Sequence, residues 1–254
     1  ISGGGPSVRR FFAGGQDLSL AEVNNLSRRI WESAGGNSPL LYGLSWTRPL
    51  RPSRYVLSFL KNRGLPTAAS WLLDPVCRFM DMLTLHIAGK PFQLQEPEDT
   101  VGGDLDADTF CNSLPHFTED RLLRPLYDPQ ASDWLLRTIA ANERYGVFHK
   151  IAVRDASGRV KGWYLYFIKA NGVAEVVQLA AGKEHVDAVL DHLFFHAKRQ
   201  GAIAVAGQMD PAFFRNLSEK FCVFHHASDS WLMLDSNEPE ILRSIEAGQA
   251  FLTR

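Results

Sequence analysis

The hydrophobic pattern of the chain is most regular between Val147 and Ser236, where it first predicts a hairpin. Phe148–Arg154 and Val160–Lys169 are rich in β-branched and aromatic residues, which favour strands. They flank Asp155-Ala156-Ser157-Gly158, a turn sequence whose glycine accepts a positive φ. Ala174–Ala181 is a nearly continuous apolar run, which is typical of a strand covered on both faces.

A single apolar stripe follows this third strand and predicts a helix. Its members recur at i, i+3, i+4, i+7, i+8 and i+11, and they are Val186, Val189, Leu190, Leu193, Phe194 and Ala197. Gly201 ends the helix, and Ala202–Gly207 is then a second buried strand. Two strands joined by a crossover helix form a parallel βαβ unit. Two further strands are predicted before Ser236.

The N-terminal part has weaker periodicity. Its pattern predicts strands at Leu18–Val23, Leu40–Thr47 and Phe92–Leu94. A short amphipathic helix is predicted with Leu26, Ile30 and Trp31 on its apolar face, and it ends at Gly35-Gly36. Two further helices are predicted at Tyr55–Leu60 and Ala68–Ile87, and Asp74-Pro75 is expected to interrupt the second. The acidic segment Glu96–Asp108 is predicted to be a surface loop between two lobes.

One more helix precedes the central hairpin. Asp106 or Asp108 is placed to cap a helix that follows the acidic segment. A longer helix is predicted from Pro129 to Asn142, with Trp134, Leu135 and Ile139 facing inward.

Composition limits the function classes. The 254 residues are 45% apolar and 22% charged, which indicates a soluble globular protein with one large or two ordinary domains. A net charge of −1 argues against a nucleic-acid binder. Three scattered cysteines give no disulfide framework, and no apolar run has the length of a membrane span, so we expect a cytoplasmic protein. Because the chain begins at Ile1, we expect a fragment of a longer protein.

From Phe92 to Ser236, the element order resembles the GNAT superfamily of acyl-CoA-dependent N-acyltransferases. The hairpin looks like the second and third strands of that family, and Ala174-Glu175-Val176-Val177 looks like the fourth. The resemblance implies an α/β (α+β) fold with a mixed sheet. It also implies that Glu175 is the general base that deprotonates an acceptor amine.

The N-terminal lobe resembles the tail of a preceding domain of the same family. Asp17–Val23, Asn24–Gly36 and Leu40–Thr47 match its last strands and helix. The resemblance therefore implies a tandem arrangement. Residues 1–50 end a first domain, residues 51–90 form a helical connector, residues 91–236 form a complete domain, and residues 237–254 form a C-terminal helix and tail.

The family holds the pyrophosphate of acyl-CoA on a Q/R-x-x-G-x-G/A loop, where backbone N–H groups at a helix start face the phosphates. This chain has Gln178-Leu179-Ala180-Ala181-Gly182-Lys183 there, with the glutamine and one glycine at a different spacing. The resemblance implies that the co-substrate is bound by Val177, Gln178, Leu179, Gly182, Lys183, Glu184 and His185.

Ser218 stands where the family often places a tyrosine as general acid, so it is the second catalytic candidate.

His192 and His196 lie four residues apart on the predicted crossover helix. This spacing lets two imidazoles share a metal ion. No convincing third ligand accompanies them, although His225 and His226 are candidates, so the polar flank of a helix is the favoured interpretation and no metal is predicted.

Three functions are compatible with these patterns. The first is an N-acyltransferase, most simply an acetyltransferase, that uses acetyl-CoA or another acyl-CoA and an amine of a small molecule or protein. The second is a GNAT-shaped binding or regulatory domain that has lost its chemistry. The third is a Fem-type aminoacyl transferase that uses charged transfer RNA, against which the weak positive charge counts.

Overall fold

The computed structural model describes residues 17–33, 36–64, 66–87, 94, 97–226 and 231–252. The strands in these residues are β1 Ser19–Val23, β2 Leu44–Pro49, β3 Val101–Asp104, β4 Val147–Arg154, β5 Val160–Ile168, β6 Val173–Ala181, β7 Ala204–Gln208, β8 Val223–His226 and β9 Trp231–Asp235. The helices are α1 Asn25–Ser33, α2 Pro52–Asn62, α3 Thr67–Ile87, α4 Ala107–Phe117, α5 Pro129–Ala140, α6 Val186–Arg199, α7 Phe214–Glu219 and α8 Pro239–Glu246. None of the helices described is both long and apolar enough to span a bilayer.

A seven-stranded mixed sheet organises the molecule, with the order β3-β4-β5-β6-β7-β2-β8. Only β6 and β7 pair in parallel, and α6 connects them, so the predicted βαβ unit is confirmed. The predicted hairpin is confirmed as β4 and β5, with Gly158 at a φ of +83° in the turn. Strands β1 and β9 form a separate antiparallel pair.

Strand β2 comes from far upstream in the chain. It runs antiparallel to β7 on one side and to β8 on the other, and it fills the place between them. Trp46 of β2 is 4% exposed, and its indole N–H donates to the carbonyl of Gln208 at 3.1 Å. The sheet therefore includes a strand that precedes residue 91, where the sequence prediction began the complete domain.

Both faces of the sheet are covered. On one face, the predicted stripe of α6 packs with Tyr164, Tyr166 and Ala174 in a buried cluster. On the other face, α4 and α5 pack over Trp163, Leu165 and Ala180, whose side chains point away from α6. The Asp106 carboxylate accepts the amide of Thr109 at 2.7 Å, so the predicted cap of α4 is Asp106.

Three local predictions were wrong. The segment predicted as a loop at Glu96–Asp108 contains β3, which was missed because Gly102 and Gly103 carry no strand signal and the strand forms through its pairing with β4 at the edge of the sheet. Trp134 is 64% exposed, and Leu136 is the buried residue on the opposite face of α5. Helix α3 continues through Pro75, since it packs along α2.

The predicted strand at Phe92–Leu94 lies outside the described residues except for Leu94.

Candidate functional site

The two parallel strands separate at the centre of the sheet. Their register ends at Val176 opposite Gly207, and the rest of β6 diverges from β7. The ladder between β5 and β6 also shifts there, because Leu165 pairs with Gln178 and Tyr166 pairs with Val176. Val177 is thus the extra residue of a β-bulge, which leaves it out of that ladder and bends the strand. The bulge and the divergence together open a cleft in the sheet.

This cleft encloses a cavity of about 50 Å³. Its walls come from β6, β7, α6, α7 and the two ends of the described chain, and they include Val176, Val177, Gln178, Leu179, Leu190, Met209, Phe213 and Leu217. Gln178 is 7% exposed, and its side-chain nitrogen has no hydrogen-bond partner in the described residues. A buried donor without a partner is costly, so a carbonyl oxygen bound in the cleft would satisfy it.

Tyr42 and an ion pair support the rim of the cleft. The Tyr42 hydroxyl donates to the carbonyl of Ala250 at 2.7 Å and accepts the Ala250 amide at 3.1 Å. Arg121 donates to both carboxylate oxygens of Asp210, at 2.8 and 2.9 Å. Burial raises the pKa of Tyr42 to about 12, and burial also raises the pKa of Asp210 despite the adjacent guanidinium. Tyr42 therefore remains a neutral hydrogen-bonding group.

A larger cavity of about 660 Å³ lies next to the cleft. It is lined by Glu22, Ile139, Asn142, Tyr145, Phe167, Glu175, Val176 and Val177. Val176 and Val177 line both cavities, so the two spaces meet at the bulge. Among the described lining residues there are two carboxylates and no cationic side chain, and apart from Asn142 and Tyr145 the remaining side chains are apolar. This cavity suits a cationic group on an apolar body.

The structure separates the predicted co-substrate residues into two groups. Val177, Gln178 and Leu179 line the cleft, close to Glu175. Residues 182–185 lie where β6 passes into α6, and the amide of Gly182 already donates to the carbonyl of Lys161 at 3.0 Å. The family's glycine-rich cradle is therefore not reproduced here.

Charges of both signs surround this start of α6. Lys183 is 3.3 Å from Asp120, and Lys161 lies 3.2 Å from both Asp155 and the Nε2 of His185. Glu184 precedes the helix, and Asp187 stands in its first turn. Because lysines and the helix N-terminus attract phosphate while the carboxylates repel it, the start of α6 is a weaker anion site than a glycine-rich loop.

Ser218 is exposed on α7, and the preceding Leu217 is the residue that lines the cleft. Its catalytic role stays a prediction from the resemblance, without support from this placement.

The histidines of α6 contact tyrosines of β5. The hydroxyl of Tyr164 is 2.8 Å from Nδ1 of His192, and that of Tyr166 is 2.8 Å from Nδ1 of His196. His149 on β4 stacks on Tyr166. Burial, with the nearby His149, His192 and Arg199, lowers the pKa of His196 to about 4. No group of three potential metal-binding side chains occurs among the described residues.

The comparison of known folds agrees with this geometry. A GCN5-related N-acetyltransferase from Anabaena variabilis ATCC 29413 superposes on 92% of this chain and 50% of its own, with a TM-score of 0.52 and 10% sequence identity. This chain has the GNAT fold. A conserved Enterococcus faecalis V583 protein of unknown function, described as a probable N-acyltransferase, matches 92% of this chain and 49% of its own, with a TM-score of 0.50 and 8% identity.

This GNAT-fold chain spans about half the length of those two solved structures. No protein-family model and no curated protein matches the chain. At such low sequence identity the similarity establishes the fold, and the function is argued from the site itself.

Several site residues carried no sequence signal. Tyr42 and Asp210 reach the cleft only through contacts between distant parts of the chain. Phe251 lines the cleft from beyond the predicted domain, and Glu22 reaches the larger cavity from β1. The bulge at Val177 has no local sign in the sequence, because the apolar run of β6 is nearly continuous there.

Proposed function

We propose that the chain carries the catalytic site of an N-acyltransferase that moves an acyl group, most simply acetyl, from acyl-CoA to an amine. The observation that supports this proposal is the meeting of two cavities at the bulge of β6, with Val176 and Val177 in both walls. A donor in the cleft and an acceptor in the larger cavity would approach each other at this point, and such proximity is itself a large part of catalysis.

The donor side offers hydrogen bonds to a carbonyl oxygen. Bound acyl-CoA supplies an activated thioester carbonyl. Because Val177 stands outside the ladder with β5, we expect its backbone N–H to donate to that oxygen. The unpartnered side-chain nitrogen of Gln178 is a second donor in the same wall. Two fixed donors would stabilise the negative charge that develops on the oxygen during attack.

The acceptor side offers a base and a negative charge. Glu175 lies two residues before the bulge and lines the larger cavity, so it removes a proton from the incoming amine, directly or through a water. Glu22 adds a second carboxylate to the same cavity. We infer that the acceptor is a cationic amine with an apolar body, either a small molecule or a protein side chain.

The phosphates of the co-substrate would lie at residues 182–185. Lys183 and Lys161 provide cations there, and the first amides of α6 provide donors. The acidic neighbours make this part of the site weak, so we expect the affinity for acyl-CoA to be modest.

The second candidate is a GNAT-shaped domain that binds a partner without catalysis. The observation that favours it is the start of α6, where the Gly182 amide is occupied by Lys161 and where Asp120, Glu184 and Asp187 disfavour phosphate. This candidate predicts no measurable affinity for acyl-CoA.

Calorimetric titration distinguishes the two candidates. The purified chain is titrated with acetyl-CoA and with dephospho-CoA, and acetyl transfer is measured against a panel of small cationic amines. Saturable acetyl-CoA binding, together with transfer to at least one amine, supports the acyltransferase. Absence of binding up to about millimolar ligand, which corresponds to roughly −4 kcal/mol, would favour the partner-binding domain.

A further inference from the structure

A short segment near the C-terminal end closes one side of the donor cleft. We call residues 249–252 the C-terminal strap. Phe251 and Leu252 line the cleft, and Phe251 is only 4% exposed. The Phe251 ring also joins the buried cluster that contains Trp163, Leu165 and Ala180.

The strap is held by contacts that are independent of the β6 and β7 walls. The Phe251 amide donates to the carbonyl of Leu123 at 2.8 Å, and the Leu122 amide donates to the carbonyl of Gln249 at 2.9 Å. Tyr42 binds both backbone groups of Ala250, as described above. These contacts fix the backbone of the strap from Gln249 to Phe251, and the Phe251 ring is buried in its cluster.

The enclosed volume of the cleft is small. A cavity needs roughly 10–15 Å³, measured in this way, for each water-sized group that it holds. The cavity of about 50 Å³ therefore accommodates about three to five heavy atoms. An acetyl group has three heavy atoms, and an octanoyl group has nine. The cavity as it stands has the size of an acetyl group, and a long acyl chain needs more space than it offers.

We propose that Phe251 of the C-terminal strap is the residue that restricts the acyl donor to short chains. This inference rests on the proposed acyl transfer. Most of the other apolar walls, among them Leu190, Phe213 and Leu217, belong to the main core, where truncation would disturb the packing of the sheet. Replacing Phe251 by alanine removes the six ring carbons from the strap and extends the cavity by the space of a medium-length chain.

The test compares four thioesters on four proteins. Acetyl-, butyryl-, hexanoyl- and octanoyl-CoA are titrated by calorimetry into the wild type, Phe251→Ala, Phe251→Leu and Phe148→Ala, and the transfer rates are measured in parallel. Phe148 packs against the same cluster as Phe251 but does not line the cleft, so its truncation is the matched control.

We expect the wild type to bind acetyl-CoA at least about tenfold more tightly than octanoyl-CoA, since each added methylene must find space. Phe251→Ala should reverse this preference by at least about tenfold, and Phe148→Ala should leave it unchanged. Phe251→Leu should give an intermediate ratio of acetyl-CoA to octanoyl-CoA affinity. If the alanine variant does not fold, this ratio in Phe251→Leu tests the inference.

Two results would overturn the inference in different ways. A wild type that binds and transfers octanoyl as well as acetyl removes Phe251 as the determinant and leaves the acyltransferase proposal in place. So does a folded Phe251→Ala variant with the wild-type ratio or, if that variant does not fold, a Phe251→Leu variant with the wild-type ratio. A wild type that binds none of the four thioesters overturns both.

Discussion

At the scale of single residues, the two carboxylates of the acceptor cavity have different expected roles. Glu175 adjoins the bulge, where the acyl carbonyl would lie, whereas Glu22 reaches the cavity from β1. We expect Glu175→Gln to lower kcat by about 10²- to 10⁴-fold, because the amide keeps the size of the side chain and loses its basicity. The affinity for acetyl-CoA and the free energy of unfolding should change little, since Glu175 is an exposed side chain. Initial rates and calorimetry measure both quantities.

Glu22→Gln is the matched control for that variant. It removes one charge from the same cavity, so we expect the KM for a cationic amine to rise by about five- to tenfold while kcat remains within about threefold of the wild type. If Glu175→Gln retains the wild-type kcat, or if the two variants behave alike, then Glu175 is not the base.

The half-buried His196 makes stability depend on pH. Its pKa in the folded protein is about 4, below the ordinary 6.5, so between these values the unfolded chain binds more protons than the folded one. This contribution to stability is therefore fully present above pH 6.5 and is lost as the pH falls toward 4. The side chain is partly exposed, so we discount the full shift and expect a loss of about 1–2 kcal/mol.

Urea unfolding at pH 7.5 and pH 4.5 measures that loss. His196→Gln should show a smaller decrease than the wild type, since the amide does not titrate. Tyr166→Phe removes the hydrogen bond to His196 and keeps the imidazole. It should therefore lower stability at both pH values and retain the pH dependence. An unchanged decrease in His196→Gln would assign the effect to other groups.

At the scale of elements, the packing of β2 against β7 depends on a glycine. A Cβ placed on Gly207 would lie 2.9 Å from the Trp46 ring, closer than such atoms approach in folded proteins. We expect Gly207→Ala to destabilise the protein by about 1–3 kcal/mol, because Trp46 or β2 must move. The same change at Gly103 in β3 meets no atom within 4 Å, so Gly103→Ala should be neutral or slightly stabilising. Equal unfolding midpoints for the two variants in urea would contradict this explanation.

The elements also show what the sequence could and could not predict. The hairpin β4–β5 and the unit β6-α6-β7 were predictable, because each depends on local periodicity and turn residues. Strand β3 was missed, since Gly102 and Gly103 carry no β signal and the strand exists only through pairing with β4. Glu175 and residues 177–179 line the two cavities that meet at the bulge, whereas residues 182–185 and Ser218 do not line them, and the roles that the resemblance implies for all of them stay predictions. Phe251 was missed because its contact is non-local and has no periodic pattern.

At the scale of the whole molecule, one sheet is built from two distant parts of the chain. Strand β2 pairs with β7 and β8, although about 155 to 180 residues separate them in sequence. Without β2, the sheet would have a gap one strand wide between β7 and β8. The backbone N–H and C=O groups of both strands that face β2 would then have no partners. The predicted tandem arrangement stays a prediction, but β2 of the N-terminal lobe is structurally part of the seven-stranded sheet.

This topology predicts how the molecule responds to division. A chain that begins at Pro97 lacks β2 and Trp46. We expect it to be insoluble or to unfold without cooperativity, because the buried cluster around Phe194 is then exposed to solvent where Trp46 covers it.

Co-expression of residues 1–64 should restore a soluble complex by supplying β2 in trans. The same fragment carrying Trp46→Arg should not restore it, since a charge cannot replace the buried indole. Near-ultraviolet circular dichroism and the sharpness of urea unfolding report the outcome. If the chain from Pro97 alone unfolds with the midpoint and cooperativity of the intact protein, then β2 is a peripheral addition and the sheet folds without it.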